Sequence, residues 1–577
     1  MPKREISLPK RKALIIGLDG ATFDLIQPWV HGGELPTFAK LMQEGSYGEL
    51  RSVLPPLTAP AWTTMVTGTN PGKHGLVDFW ARDFSGYGFR LLNASSRARP
   101  CLWDLVGQNG GQVIVCNVPM TYPPTPVNGV MVSGLDTPGI DAQYTFPPEL
   151  KRELNEVVGQ YVIVGDDWMY SRRHQYDKAR AAPFKDMEIH FAAASYLLDR
   201  YPWDFAMIVF TATDGASHFF WHFIDPQHPL YEPKNAERYG KVILEVYKGL
   251  DAKLAAFVQA LPPNTTLFVV SDHGNGPMSN RAIYLNAWLE GKGLLRYKRA
   301  SPGERWQGAL SQTTLRVLRS AWHQVQNWIP FQMRAKIEAL LPGGGKRIES
   351  SLISAQIDWS KTKAFSEEVR GSIWINLAGR DAQGIVSPGP EYERLRERII
   401  SELPELRDPL TGEQLIRRVY RREELYHGPY ANLTPDIILE PNDTIQIFRR
   451  SEGAHQTAAV RILSEAELRR GYTTGQHLMN GILLIYGGGV TAKGELSGVE
   501  MQDVAPTVLY AMGLPVPTWM DGRVLRDAFE PSYLSQHPVQ LVSETEQGQE
   551  KHEDTGHGYS EQEARLVEDR LRGLGYM

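Results

Sequence analysis

Residues 266–276 read TLFVVSDHGNG. The apolar, β-branched run Leu267-Phe268-Val269-Val270 forms a good buried strand. It stops abruptly at Asp272-His273-Gly274, and two readings compete for that stop. Asp and Gly are common turn residues, so the triplet can serve simply to release the chain. Alternatively, a carboxylate and an imidazole side by side at a strand's end hold a metal ion.

Similar runs recur: ALIIGL (13–18), VIVCNV (113–118), FAMIVF (205–210), IWINL (373–377), DIILE (436–440) and ILLIY (482–486). Most are continuous rather than alternating, as parallel strands covered on both faces require. Helical patterns lie between them, at 187–200, 236–259 and 392–403. This alternation predicts an α/β fold, a doubly wound, mostly parallel sheet with helices on both faces. Residues 296–356 break the rhythm with helical periodicity and no strand signal, ended by Pro342 and three glycines. They read as a helical insertion between a first core part, 11–295, and a second, 357–530. Residues 531–577 read as a polar linker followed by a short amphipathic helix, ARLVEDRLRGLGY (564–576), able to dock back.

Composition narrows the function classes. A net charge of −5 and short, interrupted basic runs offer no surface for nucleic acid. The longest apolar stretches are strand-sized, far short of a membrane span. Only Cys101 and Cys116 occur, which excludes a disulfide scaffold. With an N-terminal segment too brief in apolar residues for secretion, this predicts a cytoplasmic protein.

The Asp272-His273 pair gains meaning from the other strand ends. ALIIGL runs into Asp19, and FAMIVFTAT runs into Asp214-Gly-Ala-Ser-His218. In open α/β sheets, sites form beyond the carboxyl ends of the strands. Each carboxylate alone reads as a turn or helix cap; three of them with two histidines read as one cleft. Asp214 and His218, four apart, face the same way on one helical turn. Mixed oxygen and nitrogen donors of this kind suit zinc. His74, His222, His228, His427 and His455 read as ordinary packed or surface histidines. His477, in TTGQHLMNGILLIYGGG, lies at the amino end of its strand. Either that strand runs antiparallel or a long loop carries His477 to the cleft. Thr58, in VLPPLTAPAWTTMVTGTNPGKHGL, precedes a helical segment, 62–67, and reads either as an N-cap or as a hydroxyl nucleophile.

Taken in order, LIIGLDG, LTAPAWTTMVTGTNPGKHG, DGASH, VVSDHG and GQHLMNGILLIYGGG resemble the alkaline phosphatase superfamily, in its type I phosphodiesterase/nucleotide pyrophosphatase branch. MQDVAPTVLYAMGLPVPTWMDGRVL (501–525) resembles the segment that closes that domain. IDWSKTKAF, INLAGR and YRREELYHGPYANLTPDIILE resemble a group of predicted phosphohydrolases and phosphomutases. The resemblance implies an alkaline phosphatase-like fold and two divalent metal ions, zinc with manganese as the alternative. Asp19, Asp272 and His273 would hold the ion that also contacts Thr58. Asp214, His218 and His477 would hold the second, facing the leaving group. Two ions about 4 Å apart clamp the attacking and leaving oxygens at phosphorus. Thr58 would then form a phospho-threonine intermediate.

One departure stands out. The pattern has an asparagine three residues after the nucleophile, where this chain has Ala61. Thr58-Ala59-Pro60-Ala61-Trp62 also lacks the sulfatase signature. The surroundings of Thr58 are apolar and hold no basic neighbour, which favours a diester or pyrophosphate over a dianionic monoester. Lys73, Arg305 and Arg334 are the candidate clamps. The expected partner is a small phosphoester. A phosphomonoesterase or phosphomutase on the same site is the alternative, and a binding protein without catalysis would not need all seven positions filled.

Overall fold

The computed structural model describes residues 11–298, 356–543 and 558–574, apart from 166, 173, 367–370, 443–446, 449–457 and 470–472. The predicted insertion at 296–356, with Arg305 and Arg334, lies almost entirely outside the described residues, as does His455. At its two ends Tyr297 bridges Ile357 antiparallel, and Lys298 N donates to Gln356 O at 2.7 Å.

The centre is a ten-stranded sheet. Its strands are β1 (Lys12–Leu18), β2 (Ser46–Arg51), β3 (Val113–Val118), β4 (Gly129–Ser133), β5 (Thr145–Phe146), β6 (Phe205–Phe210), β7 (Thr265–Val270), β8 (Asn480–Tyr486), β9 (Gly494–Glu495) and β10 (Val499–Glu500). In space they run β9-β2-β8-β7-β1-β6-β3-β4-β5, with β10 also on β2. Strands β7, β1, β6, β3 and β4 are mutually parallel. Strand β8 runs antiparallel to both of its neighbours, and β5 antiparallel to β4.

The continuous apolar runs follow from burial on both faces. Along β1, Leu14, Ile16 and Leu18 enter one core while Ala13 and Ile15 enter the other. Helices Tyr176–Arg200, Ala212–Ile224 and Val242–Ala260 cover the first face. Helices Thr58–Thr67, Leu102–Gln108 and Val504–Met512 cover the second. A side chain at Gly17 would fall 2.5 Å from the Trp62 ring, so the glycine lets that fully buried indole lie against the sheet.

Three expectations need correction. IWINL and DIILE do not join the central sheet; they form Ser372–Ile375 and Ile437–Pro441 of a four-stranded antiparallel sheet with Ala364–Phe365 and Ile416–Arg421. Ile437, Ile438 and Leu439 are each wholly buried there, so their composition matches that of a central parallel strand. The helix over 236–259 is two, Pro233–Tyr239 and Val242–Ala260, parted at Gly240. The helix after Thr58 starts at Thr58 itself, with Pro60 in its first turn, where a missing N–H costs no internal bond.

Residues 531–543 pack on the core: helix Pro531–Gln536 sets Tyr533 against Phe529, and Leu541–Val542 pairs with Val516–Pro517. Helix Glu561–Gly573 buries Val567 and Leu571 in a cluster with Ala59, Leu76 and Phe79. Tyr122 Oη donates to Glu563 Oε1 at 3.0 Å, and Arg570 donates to the carbonyls of Leu135 and Pro138. Among the described residues no helix is long and apolar enough to cross a membrane.

Candidate metal centre

The register of the sheet builds the rim of a cleft. Leu18 pairs with Phe210 and Gly17 with Val270, so β1, β6 and β7 end level. Asp19 follows β1, its N–H donating to Phe210 O at 2.9 Å. Asp272 and His273 follow β7, and Asp214 and His218 stand on the helix that begins just after β6. All five are buried. The orientation of His477 resolves to the antiparallel alternative. Because β8 is reversed, its amino end lies beside the carboxyl end of β7. A short strand ahead of it, Gly475–Leu478, pairs with Gly274–Pro277 and sets His477 opposite Asn275.

Thr58 is wholly buried and is the first residue of its helix; Leu57, in extended backbone, occupies the cap position. The N-cap reading of its hydroxyl therefore does not hold. Thr58 Oγ1 lies 3.2 Å from His273 Nε2.

The seven side chains fall into two overlapping sets. Asp19 Oδ1 and Asp272 Oδ2 stand 3.6 and 3.3 Å from His273 Nε2. His218 Nε2 and His477 Nε2 stand 3.3 and 3.6 Å from Asp214 Oδ1, and 3.0 Å from each other. Potential ligand atoms of Asp19, Asp272 and His273 all lie within 4.8 Å of one another, as do those of Asp214, His273 and His477. His273 thus stands between the two sets.

Backbone carbonyls fix the imidazoles. Nδ1 of His218 lies 3.0 Å from Gly475 O, that of His477 2.9 Å from Pro56 O, and that of His273 3.1 Å from Gly274 O. A carbonyl only accepts, so each Nδ1 carries a proton, and in the neutral ring each Nε2 then presents a lone pair to the cleft. With both rings neutral, the Nε2 lone pairs of His218 and His477 face each other at 3.0 Å and repel unless a proton or a metal cation lies between them. The acids show the same need. Asp19 Oδ1 and Asp272 Oδ2 are buried with no hydrogen-bond partner among the described residues. Burial, then the charges of Asp272 and Asp214, hold Asp19 well above the usual carboxylate range. Burial likewise raises Asp272 against the opposing pull of His273. Burial would raise Asp214 too, but His218, His477 and His273, in their charged form, outweigh it and hold its carboxyl low. Burial and the neighbouring His273 push His477 well below an ordinary histidine. This donor set fits divalent cations.

Residues outside the expected set complete the rim. Asn275, wholly buried, donates from Nδ2 to Gly20 O at 3.0 Å and to Asp214 Oδ1 at 3.1 Å. Gly20 adopts φ +69°, and its N–H donates to Asp272 Oδ1 at 3.3 Å. Thr213 Oγ1 donates to Asp19 O, and Ser52 Oγ to Asp272 O. Thr474 N donates to His218 O at 2.6 Å, while His222 and His228 contact the Thr474 hydroxyl and carbonyl. The ordinary readings of His222 and His228 fit these contacts. His74 bonds Thr64 Oγ1 within the core, and the exposed His427 pairs with Asp521. Asn275 was readable only as one more turn former beside glycines, which is why the sequence pattern passed over it.

The model of the type I phosphodiesterase / nucleotide pyrophosphatase family matches residues 13–477. Among solved structures, human ectonucleotide pyrophosphatase/phosphodiesterase 5 aligns at 13% identity and a TM-score of 0.47, over 90% of this chain and 100% of that one. Phosphonoacetate hydrolase from Sinorhizobium meliloti, in complex with phosphonoformate, aligns at 14% identity and a TM-score of 0.48, over 88% of this chain and 96% of that one. No curated protein matches the chain in sequence. With the family's model matched over most of its length, the chain belongs to the type I phosphodiesterase / nucleotide pyrophosphatase family and is a phosphoric ester hydrolase.

Proposed function

We propose that this chain cleaves phosphodiester or pyrophosphate bonds through a phospho-threonine at Thr58, with two divalent metal ions in the cleft. The observation that carries this reading is the charge of the site. Three buried carboxylates meet three imidazoles whose Nε2 atoms face the cleft, and neither Asp19 nor Asp272 is ion-paired by a Lys or Arg among the described residues. Ionised, the three acids carry a charge of −3. One divalent ion would leave the site negative and repel a phosphoryl group. Two leave it at +1, which attracts one. Asp19, Asp272, His273 and Thr58 would hold one ion, and Asp214, His218 and His477 the other. Oxygen and nitrogen donors without thiolate suit zinc, with manganese next.

When bound, such ions lower the pKa of the nucleophilic hydroxyl and offset charge on the leaving oxygen. The rest falls to the protein. The helix start sets Thr58 Oγ1 at the rim beside His273. As Oγ1 bonds to phosphorus, the bond from phosphorus to the leaving oxygen breaks, and the hydroxyl proton is released. Water then cleaves the Thr58 phosphoester from the opposite side, returning the hydroxyl and completing two inversions. Lys73, a candidate phosphate clamp, is engaged by Asp521 and by Trp519 O at 3.0 Å. With Ala61 and Trp62 buried beside the nucleophile, this favours a diester over a dianionic monoester. Cys101 and Cys116 are free thiols in the core, in keeping with a cytoplasmic setting.

The test is turnover of bis-p-nitrophenyl phosphate against p-nitrophenyl phosphate with zinc or manganese added. Preference for the diester is expected. Clear preference for the monoester would make the chain a phosphomonoesterase, and isomerised phospho-sugar without free phosphate would make it a mutase.

A further inference from the structure

Asn275 is wholly buried, and both N–H groups of its carboxamide are spent. One meets Gly20 O at 3.0 Å and the other Asp214 Oδ1 at 3.1 Å. Both partners are acceptors, so the amide has one orientation; turned over, it would set oxygen against two oxygens. Its Oδ1 is buried with no hydrogen-bond partner among the described residues. Two consequences follow. Asn275 cannot supply a donor to a phosphate oxygen, so it does not replace the amide that Ala61 lacks. And the oxygen it holds, Asp214 Oδ1, is the one that faces His218 Nε2 and His477 Nε2 at 3.3 and 3.6 Å.

The position of Asn275 also ties the two sets together. It lies two residues after His273 and directly across the strand pair from His477. Through the Gly20 carbonyl it grips the turn whose N–H reaches Asp272 and whose preceding residue is Asp19. Without it, the Asp214 carboxylate would lose a donor that holds Oδ1 toward the two imidazoles.

We propose that Asn275 is a positioning residue for the ion held by Asp214, His218 and His477: its carboxamide locks Asp214 Oδ1 toward both histidines and anchors that oxygen to the Gly20 turn. This rests on the two-ion reading of the site. Outer partners of metal ligands are worth about 10- to 100-fold in metal affinity.

The experiment is a zinc titration of the metal-free protein against a chelating indicator, for wild type, Asn275→Ala and Asn275→Leu. Leucine fills the space without supplying an N–H, so the pair separates donation from packing. Circular dichroism and the melting temperature of the metal-free variants establish that they are folded. Wild type is expected to take up two ions. Both variants are expected to bind one ion about 10- to 100-fold more weakly and the other, which Asn275 reaches only through the Gly20 turn, with a smaller loss. Wild-type affinity at both sites in either variant would overturn the role of Asn275, as would equal weakening of both sites. A wild type that binds no zinc or manganese would instead bring down the two-ion reading itself.

Discussion

Gly20 is where a single methyl group tests the cleft most directly. Its backbone sits at φ +69°, and a Cβ there would lie 2.0 Å from Asn275 Nδ2 and 2.9 Å from Asp214 Oδ1. Ordinary contact begins at 3.4 Å, so in Gly20→Ala the amide must retreat by about 1.4 Å. A retreat of that size breaks the bonds Asn275 makes to Gly20 O and Asp214 Oδ1. The left-handed backbone costs about 1–2 kcal/mol with a Cβ, and overpacking about 1–3 kcal/mol. Together these give about 2–5 kcal/mol, set against a total stability of about 5–15 kcal/mol, so the variant is folded wherever that total exceeds the loss. Gly33 is the control: it has φ +76° and nothing within 4 Å of an added Cβ. Gly33→Ala should lose only the backbone part and keep full metal affinity. Urea denaturation of the metal-free proteins measures the cost, and zinc titration measures the site. Equal stability of the two variants, with two ions bound at wild-type affinity in Gly20→Ala, would refute the packing argument.

Other consequences are simpler to measure. Thr58→Ala should lower turnover by a factor on the order of 10³ or more while both ions remain, and Thr58→Ser should retain part of the activity. Undiminished turnover in Thr58→Ala would remove Thr58 as nucleophile. His477→Ala should lose or sharply weaken one ion by zinc titration, and two ions at wild-type affinity would return that position to a structural role. Leu571→Ala empties a fully buried site on the C-terminal helix and should cost about 2–4 kcal/mol, capped by the docking energy of that helix. It should also speed hydrogen exchange across Glu561–Gly573; unchanged protection there would mean that the helix is held by its polar contacts alone.

The sheet was legible because its strands are buried on both faces and leave unbroken apolar runs. Two kinds of strand escaped that signal. Ser46–Arg51 alternates in burial and includes Gly48 and two charged residues, so it offers no apolar run, although all six of its residues pair with β8. IWINL and DIILE show the opposite failure, since complete burial in a separate antiparallel sheet writes the same residues as a parallel core. Within the cleft, Asp19, Asp214, Asp272 and His273 could be grouped because each closely follows a strand. His477 could not be oriented, because nothing local in ILLIY encodes its direction; that direction is decided by pairing with β7 and β2, far away in the chain. Asn275 was invisible for a different reason. Its role depends on the Gly20 carbonyl and Asp214 standing beside it, and neither is a sequence neighbour.

The reversed strand β8 also sets an order for biosynthesis. It is the piece that joins β2 to the rest of the sheet, and it follows β7 by roughly two hundred residues. At ribosomal speeds of about 5–20 residues per second, that gap lasts on the order of 10–40 seconds. During this interval the nascent chain has made Asp19, Asp214, Asp272 and Thr58 but displays the open edge of β7, with β2 still unattached. The emerging polypeptide therefore carries an unpaired, apolar margin that invites chaperone capture, and the cleft closes only when β8, with His477 just ahead of it, leaves the exit tunnel.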